Sequence, residues 1–190
     1  ENNIFNSKGY NNSYATQAGL VGFASTQTAN FENCDVKNTS LTTYGGKIAG
    51  LVGGIISSEY TNDFIINFEK CNVIDTTMNG RTDENGVYGA NEAGGLVALV
   101  DEAGVKIKDC EINSTDANNK LNISGNYYIG GVVGFAKRGV ILENVKASNL
   151  NIKSTGNNLV AGGIAHASGK VVAKECILNN IDIANNNRTS

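Results

Sequence analysis

The sequence predicts an all-β chain, a right-handed parallel β-helix of about five coils, and three observations carry that prediction. First, a glycine followed by small or branched apolar residues returns five times. Ala18-Gly19-Leu20-Val21-Gly22 and Ala49-Gly50-Leu51-Val52-Gly53 are followed, with drift, by Gly94-Gly95-Leu96-Val97-Ala98, Gly130-Gly131-Val132-Val133-Gly134 and Gly162-Gly163-Ile164-Ala165-His166. The anchors Gly19, Gly50, Gly95, Gly131 and Gly163 lie 31, 45, 36 and 32 residues apart, a period that marks a solenoid, propeller or array. Second, another element keeps phase with the anchors: Phe31-Glu32-Asn33-Cys34-Asp35-Val36, Phe68-Glu69-Lys70-Cys71-Asn72-Val73, Ile107-Lys108-Asp109-Cys110-Glu111-Ile112, Leu142-Glu143-Asn144-Val145-Lys146-Ala147 and Ala173-Lys174-Glu175-Cys176-Ile177-Leu178. All four cysteines occupy one repeat position and Val145 fills the fifth. Third, no segment keeps a helical period, and the short apolar stretches are β-rich and bounded by Gly, Asn and Asp.

Taken in order, residues 1–17 read as an N-terminal cap or partial coil. Residues 18–184 read as the five coils, and 185–190 as a tail or the start of a linker. Each coil offers a Gly-Leu-Val strand, a second strand before the polar turn (Val105-Lys106-Ile107) and a third after it (Cys110-Glu111-Ile112). The third continues or restarts at Leu121-Asn122-Ile123, Leu150-Asn151-Ile152 and Ile181-Asp182-Ile183. Ile107 and Cys110 are three apart, so in one straight strand they would face opposite ways. If both face inward, the chain bends between them. The residue before the cysteine position (Asn33, Lys70, Asp109, Asn144 or Glu175) is then expected in the left-handed region, which Asn and Asp accept most readily. Stacked coils put like on like: Leu20, Leu51 and Leu96 in one internal ladder, and Cys34, Cys71, Cys110, Val145 and Cys176 in another. The anchor glycines are expected at a tight corner. The right hand is the usual one for crossover connections.

Composition narrows the function. The hydrophobic fraction is 41 %, but aromatics are few, and Trp and Pro are absent. The net charge is −3 with scattered basic residues, so no nucleic-acid footprint is visible. No apolar run reaches a membrane span. An even cysteine count invites disulfides, yet one cysteine per coil at an inward position favours free buried thiols. Zinc is not indicated, because there is no Cys-x-x-Cys and one histidine. With neither an initiator Met nor a signal peptide, the chain is expected to be a mature protein or a piece cut from a longer solenoid.

The Gly19-Leu20-Val21-Gly22 and Gly50-Leu51-Val52-Gly53 cores, with Gly131-Val132-Val133-Gly134 close behind, resemble the GLUG repeat over about residues 18–184. Ala98 and His166 depart from it. GLUG repeats occur in large bacterial surface and secreted proteins, including N-terminal regions of zinc metallopeptidases that cleave immunoglobulin A. The resemblance implies an extracellular setting and not protease activity. Those peptidases need a His-Glu-x-x-His helix, which a chain whose one histidine is His166 cannot contain.

No catalytic, cofactor or metal residues are expected. His166 reads as the replacement of a repeat glycine. The hydroxyls lack an acid–His pattern for a triad. Asp35, Asp75, Asp109, Glu111 and Asp182 fall on or near the third strand, as carboxylates do in polysaccharide-cleaving β-helices, but they alternate with Asn72, Lys146 and Ile177. Insertions are the stronger clue, since per-repeat insertions often form the binding face. Ser57 to Asp63, Thr77 to Asn91 and Asp116 to Tyr128 are the long excursions. Tyr60, Arg81, Asp83, Glu84, Tyr88, Tyr127 and Tyr128 within them have adaptable contact chemistry. Two excursions are expected side by side at one corner of consecutive coils. The reading is a non-catalytic stalk or adhesion module of a larger bacterial surface or secreted protein, a monomer within that longer chain. It would bind host protein or glycan and neither nucleic acid nor membrane. The alternatives are a polysaccharide-degrading β-helix enzyme and an accessory N-terminal region of a secreted metallopeptidase.

Overall fold

The computed structural model describes residues 3–7, 16–58, 60–80, 90–156 and 158–185. Among them every regular element is a strand, and the strands pair in parallel into a five-coil β-solenoid. Coil 2 shows the plan. Lys47–Ala49, Val52–Ser57, Ile66–Glu69, Asn72–Ile74 and Thr77–Gly80 follow one another around the turn. Each pairs with its counterpart in coils 1 and 3. In coils 4 and 5 the last two segments fuse into Lys146–Ser154 and Ile177–Asn185. Asn3–Ser7 lies on Thr39–Thr43, ahead of coil 1.

The second, third, fourth and fifth segments match the strands read from sequence. The first segment of each coil, such as Lys47–Ala49, precedes the anchor glycine and was missed. Its inward residues Ile48, Ala93 and Ile129 stack in register and are wholly buried. A strand of three residues with one inward side chain has too little period to stand out.

The corner before the cysteine forms as the phase shift requires. Asn33, Lys70, Asp109, Asn144 and Glu175 all have φ between 49° and 54°. Both flanking strands can then turn their apolar residues inward. A second left-handed corner follows at Asn38, Asp75, Asn149 and Asn180. The residue after a corner often closes it. Cys34, Cys110 and Cys176 donate their thiols to the carbonyl two residues back at 3.2–3.3 Å. Thr39 and Thr76 do the same with hydroxyls at 3.0 Å.

The anchor glycines lie at a corner, as expected, in the bend between the first and second segments of each coil. Among the described glycines only Gly46 has positive φ, so a left-handed backbone is not what requires glycine at this corner. They are sites of close approach. Gly19 donates to the Gly50 carbonyl at 3.0 Å and Gly50 to the Gly95 carbonyl at 3.1 Å. A Cβ on Gly50 or Gly95 would collide with the carbonyl oxygen of the next coil.

Pairing also corrects the fifth anchor by one residue. Val133 lies on Ile164 and Gly130 on Ala161, so the partner of Gly131 is Gly162, not Gly163. Ala165 therefore holds the repeat-glycine position, and His166 follows Phe135 in the next column. A one-residue slip reverses the facing of every side chain in a strand, so His166 is not a glycine replacement.

The leucine ladder holds with one qualification. Leu51 and Leu96 are wholly buried, whereas Leu20, at the coil 1 end, is 52 % exposed. The cysteine column holds likewise. The amides after it donate in sequence to the carbonyls of Cys34, Cys71, Cys110 and Val145. Cys71, Cys110 and Val145 are buried; Cys34 and Cys176, in the terminal coils, are half-buried, and all four thiols are free.

Candidate functional site

The coils are alike except where the chain leaves them, and the best-defined departure lies between the fourth and fifth segments. Coil 2 spans that corner with Asp75 and Thr76 alone. Coil 3 spans it with residues 114–120, between Glu111–Asn113 and Leu121–Gly125.

This loop is tied down from both sides. Asp75, in the coil before, accepts hydrogen bonds from the Thr115 amide at 2.8 Å, the Thr115 hydroxyl at 2.7 Å and the Ser114 hydroxyl at 3.1 Å. Asn149, in the coil after, donates to the Ser114 carbonyl at 2.8 Å. Within the loop, the Asn118 amide donates to the Asp116 carboxylate at 2.9 Å, an Asx turn.

The loop walls a groove of about 460 Å³, lined by Asn38, Thr39, Ser40, Asp75, Thr77, the loop residues Ser114 to Asp116, Asn119, Lys120 and Leu121. A second hollow of about 320 Å³ shares Asn119 and Lys120 and continues over Asn122, Asn151 and Asp182. Together they run along the solenoid axis from coil 1 to coil 5. The floor is the outward face of the fifth segments, where Ser40 lies on Thr77 and Asn122, Asn151 and Asp182 follow in register. Asn151 donates to Asn122 at 2.8 Å, and Lys120 reaches Asp182 at 2.9 Å. The lining side chains are mainly hydroxyl and amide, with one ammonium, three carboxylates and the apolar Leu121. It can donate and accept hydrogen bonds at closely repeated intervals, as hydroxyl-rich ligands require.

Asp75 sets the pH range of this loop. Burial alone would raise its pKa, but the Thr115 hydroxyl, the Thr115 amide and the Ser114 hydroxyl outweigh that and hold it below the usual value. A depressed carboxylate contributes stability that is present above the unfolded pKa, about 3.9 for Asp. That contribution is lost as pH falls through the folded value. Exchange of the Thr115 amide should therefore quicken as pH is lowered through this range, beyond the intrinsic pH trend. Asp75→Asn should abolish that step, as hydrogen-exchange NMR would record.

The residues singled out from sequence do not gather at one place. Tyr60 is exposed, with the Arg138 guanidinium 3.6 Å from its ring centroid. Arg138 in turn pairs with Glu102 at 3.3 Å, and Lys137 with Glu102 at 2.6 Å. The Tyr127 amide donates to the Asn91 carbonyl at 3.0 Å. Tyr128 starts the first segment of coil 4, and its ring stacks on Phe135 at 5.0 Å, with His166 5.1 Å from Phe135. Arg81, Asp83, Glu84 and Tyr88 lie outside the described residues.

The excursions expected to share one corner do not. Thr77–Gly80 and Leu121–Gly125 are strands of the coil. Residues 81–89 leave between the fifth segment of coil 2 and the first of coil 3. Residues 114–120 leave one corner earlier, between the fourth and fifth segments of coil 3. The Asn126 and Tyr127 amides donate to the carbonyls of Ala90 and Asn91, which open coil 3. Sequence reasoning found the second insertion but favoured its aromatic end; Ser114 to Lys120 form the groove.

The third-strand carboxylates join neighbouring coils. Asp35 accepts from Asn72 at 2.8 Å and Asp109 from Asn144 at 2.7 Å. Among the described residues no three His, Cys, Asp or Glu come together as a metal would require. No described helix is long and apolar enough to cross a membrane. Comparisons with family models, curated proteins and solved structures gave no match.

Proposed function

We propose that this chain is a non-catalytic, extracellular β-solenoid module of a larger bacterial surface or secreted protein of GLUG-repeat type, and that it binds glycan through structure inserted into its coils. The observation that carries the reading is the groove beneath residues 114–120, which runs along the axis and is lined mainly by hydroxyl and amide groups. The cross-coil bonds of Asp35, Asp75 and Asp109 support a binding rather than a catalytic role, because these carboxylates are already engaged. The repeat resemblance supports the setting.

The test replaces residues 114–120 by the Asp-Thr pair that spans this corner in coil 2. Shortening a surface loop costs little closure entropy, so the variant should fold. On an array of neutral and acidic glycans the parent chain should bind, and the variant should lose at least about tenfold in affinity, some 1.4 kcal/mol. Undiminished binding by the variant would remove the groove from the reading. Release of shortened glycan products by the parent would instead favour a polysaccharide-degrading enzyme.

A further inference from the structure

The cysteine column offers a chemistry that neither the groove nor the framework uses. Cys34, Cys71 and Cys110 stand on successive coils in register. Parallel neighbours are about 4.8 Å apart, inside the Cα range a disulfide spans. The sulfurs lean toward the preceding coil. The Cys71 amide donates to the Cys110 sulfur at 3.4 Å, and the Cys71 thiol lies 3.3 Å from the Phe31 carbonyl of coil 1. Access is graded. Cys71 and Cys110 are sealed, while Cys34 is half-buried at the column's end. Cys176 is half-buried too, but its neighbour is Val145, which has no sulfur.

We infer that Cys34 and Cys71 form a redox-sensitive staple between coils 1 and 2, with Cys34 as the thiol through which a small disulfide oxidant acts. The Cys34 thiolate attacks one sulfur of glutathione disulfide, forming a mixed disulfide and expelling one glutathione thiolate. The Cys71 thiolate then attacks the Cys34 sulfur, the Cys34–Cys71 bond forms, and the second glutathione thiolate leaves. Two protein thiols are oxidised, one glutathione disulfide is reduced to two glutathiones, and the two protons pass to the leaving thiolates. Burial, with the Cys71 sulfur next to it, holds the Cys34 pKa above its ordinary value. The first step should therefore quicken as pH rises through the mildly alkaline range.

The experiment incubates the folded chain with glutathione disulfide and follows intact mass and peptide maps. The expected products are a Cys34–Cys71 disulfide, seen as a loss of two hydrogens, and a stable glutathione adduct on Cys176. Cys34→Ser should leave Cys71 and Cys110 reduced. Val145→Cys should give the adduct at Cys176 a thiol neighbour and convert it to a disulfide between positions 145 and 176. A Cys34 adduct as persistent as that of Cys176 would overturn the staple. So would a folded chain inert at Cys34, or a Cys71–Cys110 bond formed in Cys34→Ser as fast as the parent forms Cys34–Cys71.

Discussion

Leu51→Ala should lower the stability of the chain by about 2–5 kcal/mol, the range for truncating a buried leucine. Leu51 is wholly buried. The amide of Leu51 donates to the Leu96 carbonyl at 3.2 Å, and its carbonyl accepts from Leu20 at 3.1 Å. The backbone on both sides is therefore held by the coil ladder, and the walls of the cavity cannot collapse to fill it. Little relief is available, so the loss should fall toward the upper part of the range. Lys37→Ala is the control. Lys37 is exposed and pairs with Asp35 at 2.9 Å on the surface, where ion pairs contribute little. It should move stability by under about 0.5 kcal/mol. Urea titrations of the three proteins decide the matter, and equal midpoints for the two variants would show that the repeat face is misassigned.

Gly95→Ala should be at least as damaging, at about 3 kcal/mol or more, the upper end of overpacking costs. The added methyl would strike the Gly131 carbonyl oxygen of the next coil and come within 2.9 Å of Ile112 Cγ2. The first is backbone, so it cannot turn aside. Relief would have to come from prising coils 3 and 4 apart, which stretches the ladder along the whole corner. Gly162→Ala makes the same change at the same repeat position in coil 5. There the nearest atom a Cβ would meet is Ile181 Cδ1 at 3.4 Å, an ordinary contact. It should cost under about 1 kcal/mol. Thermal melts that place both glycine variants together would refute close approach as the reason for the repeat glycine.

The same pair of glycines shows how far the sequence could be read. Gly94-Gly95, Gly130-Gly131 and Gly162-Gly163 are doublets, and a doublet allows two alignments one residue apart. In coils 3 and 4 the Leu96 and Val132 that follow resolve the choice. In coil 5 Ile164 follows the doublet in the same way, but it holds the position of Val133 and Gly163 holds that of Val132, so the same rule points to the wrong member. Pairing of Val133 with Ile164 decides it, because inward columns must meet across the whole coil at once.

The sequence by itself determined the solenoid, the coil count, the cysteine column and the left-handed corner before it. Each of these depends on residues close together in the chain and repeated five times: an apolar residue, two polar residues and a small inward one permit few backbone paths. It did not determine the groove. Asp75 and Thr115 are 40 residues apart, and nothing local marks one as the tether of the other. Ser40, Thr77, Asn122 and Asn151 read singly as solvated strand positions. Only stacking sets them in one file, and only the fold brings residues 114–120 over that file to wall it.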